Sequence, residues 1–153
     1  MQVDQQSILT ASKELASQIG LSVSPPTAAD GEPERTLSSC VKISGAWQGA
    51  VLLECSESIA RHAAVMLFAA DSENTPADDI QDAVKELADM FGKKLKPFLP
   101  DETKISRPSL VEDESNCKAL NGMQGLTEMK MSCEGHPVRI ALFHLQPDLA
   151  ATG

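Results

Sequence analysis

The chain has 153 residues, 42% of them apolar and 23% charged, a length and balance that suit one domain around one core and exclude wholesale disorder or a fibrous architecture. Its net charge of −9, aromatic content of 3% and lack of tyrosine argue against nucleic acid and anionic membranes, whose phosphates are met by Lys and Arg, and against an aromatic stacking groove. Proteins are the expected partners.

The opening Met1-Gln-Val-Asp-Gln-Gln has neither the basic start nor the apolar run of a signal peptide. No stretch approaches the roughly 18 apolar residues of a membrane span, so the cytoplasm is the expected compartment. Ile8, Ala11, Leu15 and Ile19 recur at helical spacing ahead of Gly20, which predicts an amphipathic helix over 4–19 that stops at the glycine. The segment 22–35, with Pro25-Pro26, Asp30-Gly31 and Pro33, is expected to be a loop.

From Thr36 the period changes to two. Leu37, Val41 and Ile43 alternate with Ser38, Cys40 and Lys42, a strand with one buried face, and Ala50 to Cys55 forms a second apolar run. The glycines of Ser44-Gly45-Ala46-Trp47-Gln48-Gly49 permit a tight reversal, so the two runs read as a β-hairpin. Trp47, at its tip, either anchors a partner or closes the rim of the core, the second being favoured because buried aromatic area is scarce here.

Ser56 can cap a following helix, Glu57 complements its positive end, and Ile59, Ala60, Ala63, Met66, Leu67 and Ala70 supply an apolar stripe, so this helix should reach about Ala70. Thr75-Pro76 with Asp78 three residues after Thr75 marks the start of another helix, ended by Pro97 and Pro100. Strands are expected over 104–111, 125–133 and 137–145, with turns at Asn121-Gly122 and Gly135-His136. Pro108 should bend the first of these strands or place it at an edge.

The resulting order, α-β-β-α-α-β-β-β, describes a single α/β domain over 1–153 of the two-layer α+β kind: a largely antiparallel sheet with helices packed on one face. The four cysteines, Cys40, Cys55, Cys117 and Cys133, form no C-x-x-C pair and are expected as reduced thiols. His62, His136 and His144 lack metal-site spacing and are read as structural or surface residues.

Within Asp79 to Lys96, the residues Ile80, Val84, Leu87, Phe91 and Leu95, with Ala83, Met90 and Phe98, define one buried stripe. Advancing ~100° per residue puts Asp82, Glu86, Asp89 and Lys93 together on a neighbouring, water-facing strip. Glu86 and Asp89, three apart, should emerge side by side, and Asp89 and Lys93 have the spacing of an ordinary i,i+4 ion pair. On periodicity alone the strip is a solvated helix face.

The wording of that helix adds to this. Asp82-Ala-Val-Lys-Glu86-Leu-Ala-Asp89-Met-Phe-Gly92-Lys-Lys-Leu-Lys96 resembles the signature helix of the CheC, CheX and FliY chemotaxis phosphatases, where the pattern reads D-x-x-x-E-L-x-N-x-x-x-G, then an apolar residue and often a lysine. Ser44-Gly-Ala-Trp47-Gln-Gly49-Ala-Val-Leu-Leu is similar to that family's first hairpin. Ile105-Ser-Arg-Pro108-Ser-Leu-Val-Glu112 is similar to the strand after its signature helix. The resemblance covers 36–145, and its single-motif layout is most similar to CheX.

The resemblance implies a partner, a CheY-type phosphorylated receiver, and two catalytic positions. Glu86 would form a salt bridge to the receiver's active-site lysine, and Asp89 would stand where the family's asparagine holds a water in line with the aspartyl phosphate. Asp82, Glu86 and Lys93 would line the docking strip. The chain itself would need no cofactor, the Mg2+ ion being expected in the receiver, and a homodimer is implied. An amide offers both a donor and an acceptor to that water, whereas a carboxylate only accepts and is negative, so Asp89 should weaken the pose. Two readings of other classes are a non-enzymatic dimeric scaffold in two-component signalling and a small-ligand binder. The last would require a deep apolar pocket.

Overall fold

The structure, a computed structural model, describes residues 5–24, 35–45, 48–71, 73–99, 102–111, 123–133 and 135–145. Trp47, Cys117, the Asn121-Gly122 turn and most of the segment read as a loop lie outside them. The elements in order are α1 (Gln5–Gln18), β1 (Val23–Ser24), β2 (Thr36–Gly45), β3 (Gly49–Ser56), α2 (Glu57–Phe68) and α3 (Ala77–Leu95). A 3-10 turn (Lys96–Phe98) leads to β4 (Thr103–Ile105), β5 (Ser109–Val111), β6 (Met123–Cys133) and β7 (His136–Leu145).

The seven strands among the described residues join one antiparallel sheet of order β1-β6-β7-β3-β2-β4, with β5 also on β2. The hairpin expected from residue 36 onward is β2 on β3, in register from Thr36 opposite Ser56 to Ile43 opposite Gly49.

Side-chain alternation separates the two faces. Val41, Ile43, Val51, Leu53, Cys55, Met131, Cys133, Ile140 and Leu142 point to one side and make the main core with Ile8, Ala11, Leu15 and Ile19 of α1, Ile59, Ala60 and Ala63 of α2, and the stripe of α3. All three helices therefore lie on that face. The opposite face carries a smaller buried group, Cys40, Leu52, Val111 and Ala141. It also carries a row of polar side chains, in which Ser38 donates to Glu54 and Arg139 pairs with both Glu54 and Glu128.

Several expectations need correction. The segment 22–35 is not loop throughout, since Val23 and Ser24 pair with Cys133 and Ser132. The strand expected over 104–111 is two strands, interrupted over 106–108: Ser106 N–H still donates to the Lys42 carbonyl while Lys42 N–H donates to the Ser106 hydroxyl, and β2 then re-pairs with β5 beyond Pro108. The Ser56 hydroxyl does cap α2, accepting from Ile59 N–H at 3.4 Å, but that helix ends at Phe68. Ala69 takes a left-handed φ of 55° and closes it two residues early. Thr75 does not cap α3. Its hydroxyl donates to the Asp71 carbonyl at 2.7 Å, and the helix starts after Pro76 with no side-chain cap.

The described cysteines, Cys40, Cys55 and Cys133, are buried, reduced thiols. Nε2 of His62 lies 2.7 Å from the carbonyl oxygen of Ile19, which ties α2 to the end of α1 and is a structural use of the ring. Among the described residues no helix is long and apolar enough to cross a membrane.

Candidate functional site

Helix α3 is the middle helix of the layer, flanked by α1 and α2 and lying on β2 and β3. Its anchoring follows from sequence. Ile80, Ala83, Val84, Leu87, Phe91 and Leu95 are all buried as their spacing requires, and Ala88 joins them; Met90 and Phe98 are only partly buried. Asp78 and Asp79 sit in the first turn and Lys93 and Lys94 in the last, each complementing its end of the helix dipole.

Two contacts set the helix against the sheet at the level of the charged strip. Ser39 of β2, fully buried, donates its hydroxyl to the Val84 carbonyl at 2.7 Å. Gly92 faces the sheet so closely that a Cβ there would lie 3.1 Å from Cγ2 of Ile105 and 3.2 Å from Cγ2 of Val41. The absence of a side chain at 92 is what lets the last turns of α3 rest directly on β2 and β4.

The opposite flank of the helix displays the expected strip, with internal pairing. Lys93 Nζ donates to Asp89 Oδ2 at 2.9 Å, one turn away. Asp82 pairs with Lys85 at 3.3 Å and not with a member of the strip. Lys85 escaped the sequence reading although its i,i+3 spacing from Asp82 was legible. Glu86, half-buried, lies between these two pairs and has no hydrogen-bond or ion-pair partner among the described residues.

The structure thus brings Glu86, Asp89 and Lys93 into one group and leaves Asp82 at its N-terminal end. The Asp89 side chain is 19% exposed and that of Lys93 is 69% exposed, so the ammonium is the outer member of the pair. The hydrogen bond to Asp89 and the charge of that carboxylate hold the Lys93 pKa above the usual lysine range, and Glu86 adds in the same direction.

This arrangement can offer an acceptor (Asp89), a free anionic group (Glu86) and a cation (Lys93) to a protein laid across the helix. Among the described residues there is no cluster of three metal-ligating side chains. The apolar cavity between α1, α3 and the sheet, lined by Leu15, Ile59, Leu87, Phe91 and Met131 among others, measures about 40 Å³, far below the roughly 300–1,000 Å³ of ligand pockets.

Comparison with known proteins agrees with the resemblance. The family model described as "Chemotaxis phosphatase CheX" matches residues 37–127, which span β2, β3, α2, α3, β4, β5 and the start of β6. No curated protein sequence matches. Among solved structures, the chemotaxis protein CheX from Vibrio vulnificus superposes with a TM-score of 0.63 at 18% identity, covering 92% of this chain and 93% of that one. A chemotaxis protein CheX from Desulfovibrio desulfuricans gives 0.62 at 13% identity, with 90% and 95% covered. A chain of the CheX-CheY-BeF3-Mg+2 complex from Borrelia burgdorferi gives 0.61 at 12% identity, with 94% and 99% covered.

Proposed function

The chain belongs to the CheX family of chemotaxis phosphatases, and on that premise we propose that it docks a phosphorylated CheY-type receiver on α3 and accelerates hydrolysis of the receiver's aspartyl phosphate. The observation that carries this reading is the geometry of α3. Its apolar flank is pinned to the sheet, and on its outer flank Glu86 is unpaired among the described residues beside Asp89. The complex of the Borrelia burgdorferi relative with CheY, fluoroberyllate and magnesium supports the choice of partner.

In this reading Glu86 pairs with the receiver's active-site lysine, and Asp82 and Lys93 border the contact. Asp89 accepts a hydrogen bond from the attacking water. The water oxygen bonds to phosphorus as the bond from phosphorus to the receiver's aspartyl oxygen breaks. The electron pair stays on the aspartate, which leaves as carboxylate, and both water protons end on the phosphate. The chain contributes positioning, and the receiver's Mg2+ offsets the phosphoryl charge.

The same reading includes a cytoplasmic location and a homodimer. Of the 11 residues of β6, only Ser132 and Cys133 pair with β1. Among the described residues the rest of that outer edge has no partner strand, and an open edge pairs readily with a second copy.

A second reading is favoured by one observation: a carboxylate, Asp89, occupies the water-holding position. At ~4 Å and an effective dielectric of about 20, a bare carboxylate and a phosphoryl charge repel by about 4 kcal/mol, enough to reduce the protein to a non-enzymatic scaffold that docks without catalysis. Replacing Asp89 with asparagine separates the two readings. Followed as decay of a phosphorylated receiver from the source organism, the native chain is expected to give a measurable acceleration that Asp89→Asn raises by roughly three- to tenfold. A native acceleration abolished by Asp89→Asn contradicts the assignment, and receiver binding without acceleration by the native chain establishes the scaffold.

A further inference from the structure

Lys93 follows Asp89 by one helical turn, and the structure joins the two side chains by a 2.9 Å hydrogen bond.

A carboxylate accepts and carries charge, and an ammonium donates through three N–H groups and carries the opposite charge. Bonded together they are neutral and still present an acceptor, the second Asp89 oxygen, beside the remaining Lys93 N–H donors. That is the hydrogen-bonding repertoire of a single amide. The relative exposure of the two side chains also fits, because the lysine lies outermost and meets an incoming phosphoryl group first.

We propose that Lys93 is a positioning residue that acts through Asp89, the pair standing in for an asparagine amide at the water-holding position. The proposal rests on the dephosphorylation reading above. An ordinary helix-face ion pair would share the geometry but would act only on stability, so the test must read rate and the dependence of one substitution on the other.

Four chains are compared on a phosphorylated CheY-type receiver from the source organism: native, Lys93→Met, Asp89→Asn and the double variant, with Lys93→Arg as the conservative control. Lys93→Met is expected to lower the maximal acceleration about tenfold, a larger factor than the rise in half-saturating receiver concentration that its place at the border of the contact implies. The same substitution made on Asp89→Asn should cost less than about twofold, since an amide needs no cation. Lys93→Arg should retain most of the native acceleration.

Equal losses in the two backgrounds, or a native acceleration that Lys93→Met leaves unmoved, overturn this proposal alone. No acceleration by any chain, Asp89→Asn included, overturns the phosphatase reading and this proposal with it.

Discussion

Replacing Glu86 with alanine is expected to abolish receiver-directed activity while leaving the fold intact. Truncating one member of a desolvated interfacial charge pair costs roughly 2–5 kcal/mol, and at about 1.4 kcal/mol per tenfold the lower bound is already about a 30-fold loss. The loss should fall on both docking and turnover, because the proposed salt bridge from Glu86 to the receiver's lysine would set the pose from which water attacks. The substitution breaks no hydrogen bond or ion pair with the described residues, and alanine is the better helix former. The thermal midpoint should therefore stay at or slightly above that of the native chain. Decay of the phosphorylated receiver at several concentrations, beside a melting curve, checks both halves. A chain that melts normally and dephosphorylates normally would remove Glu86 from the site.

The largest stability effect is expected at Phe91, the largest fully buried side chain of the molecule among the described residues. Phe→Ala substitutions in cores cost roughly 3–5 kcal/mol, more where surrounding groups cannot collapse into the space. Phe91 already lines the cavity of about 40 Å³ between α1, α3 and the sheet, so its removal enlarges an existing void. The upper half of the range applies, a large fraction of the roughly 5–15 kcal/mol that holds a domain together. Denaturant titration should show a correspondingly lower midpoint for Phe91→Ala and a much smaller change for Phe91→Leu. The same experiment bears on function, because Phe91 is two residues from Asp89 and holds the flank of α3 that faces away from the strip. A loss below about 1 kcal/mol would mean that this flank does not anchor the helix.

What could be read from residues alone follows from which forces are local. The stripe of α3, the alternation in β2, the apolar run of β3 and the Ser56 cap act over a few residues, and each appears where the pattern placed it. Gly20, with φ 75°, ends α1 as expected, the Leu21 N–H reaching back to the Ala16 carbonyl.

The misses depend on distant chain. The two residues of β1 are a strand only because β6 lies beside them, and the Ser24 hydroxyl donates to the Ser132 carbonyl across 108 positions. Ala69 closes α2 in a conformation usually left to glycine, so no residue type announced it. Thr75 had two possible acceptor and donor roles, and the turn at Asp71 took it.

The site was legible in the same proportion. Spacing brought Glu86, Asp89 and Lys93 together, and family wording attached roles to them. The buried Ser39 hydroxyl on Val84 and the close approach at Gly92, which fix the height of α3 over the sheet, required β2 and β4 to be placed first.

The claim that α3 is the docking surface is tested most directly by following backbone amide resonances of the isotopically labelled chain as a CheY-type receiver loaded with fluoroberyllate and Mg2+ is added. The expected result is a contiguous set of shifted resonances along the outer flank of α3, centred on Glu86, Asp89 and Lys93, that is absent with the unloaded receiver. Shifts gathered instead around Arg139 on the helix-free face, or at the exposed Met66 and Phe68 of α2, with α3 unmoved, would contradict it.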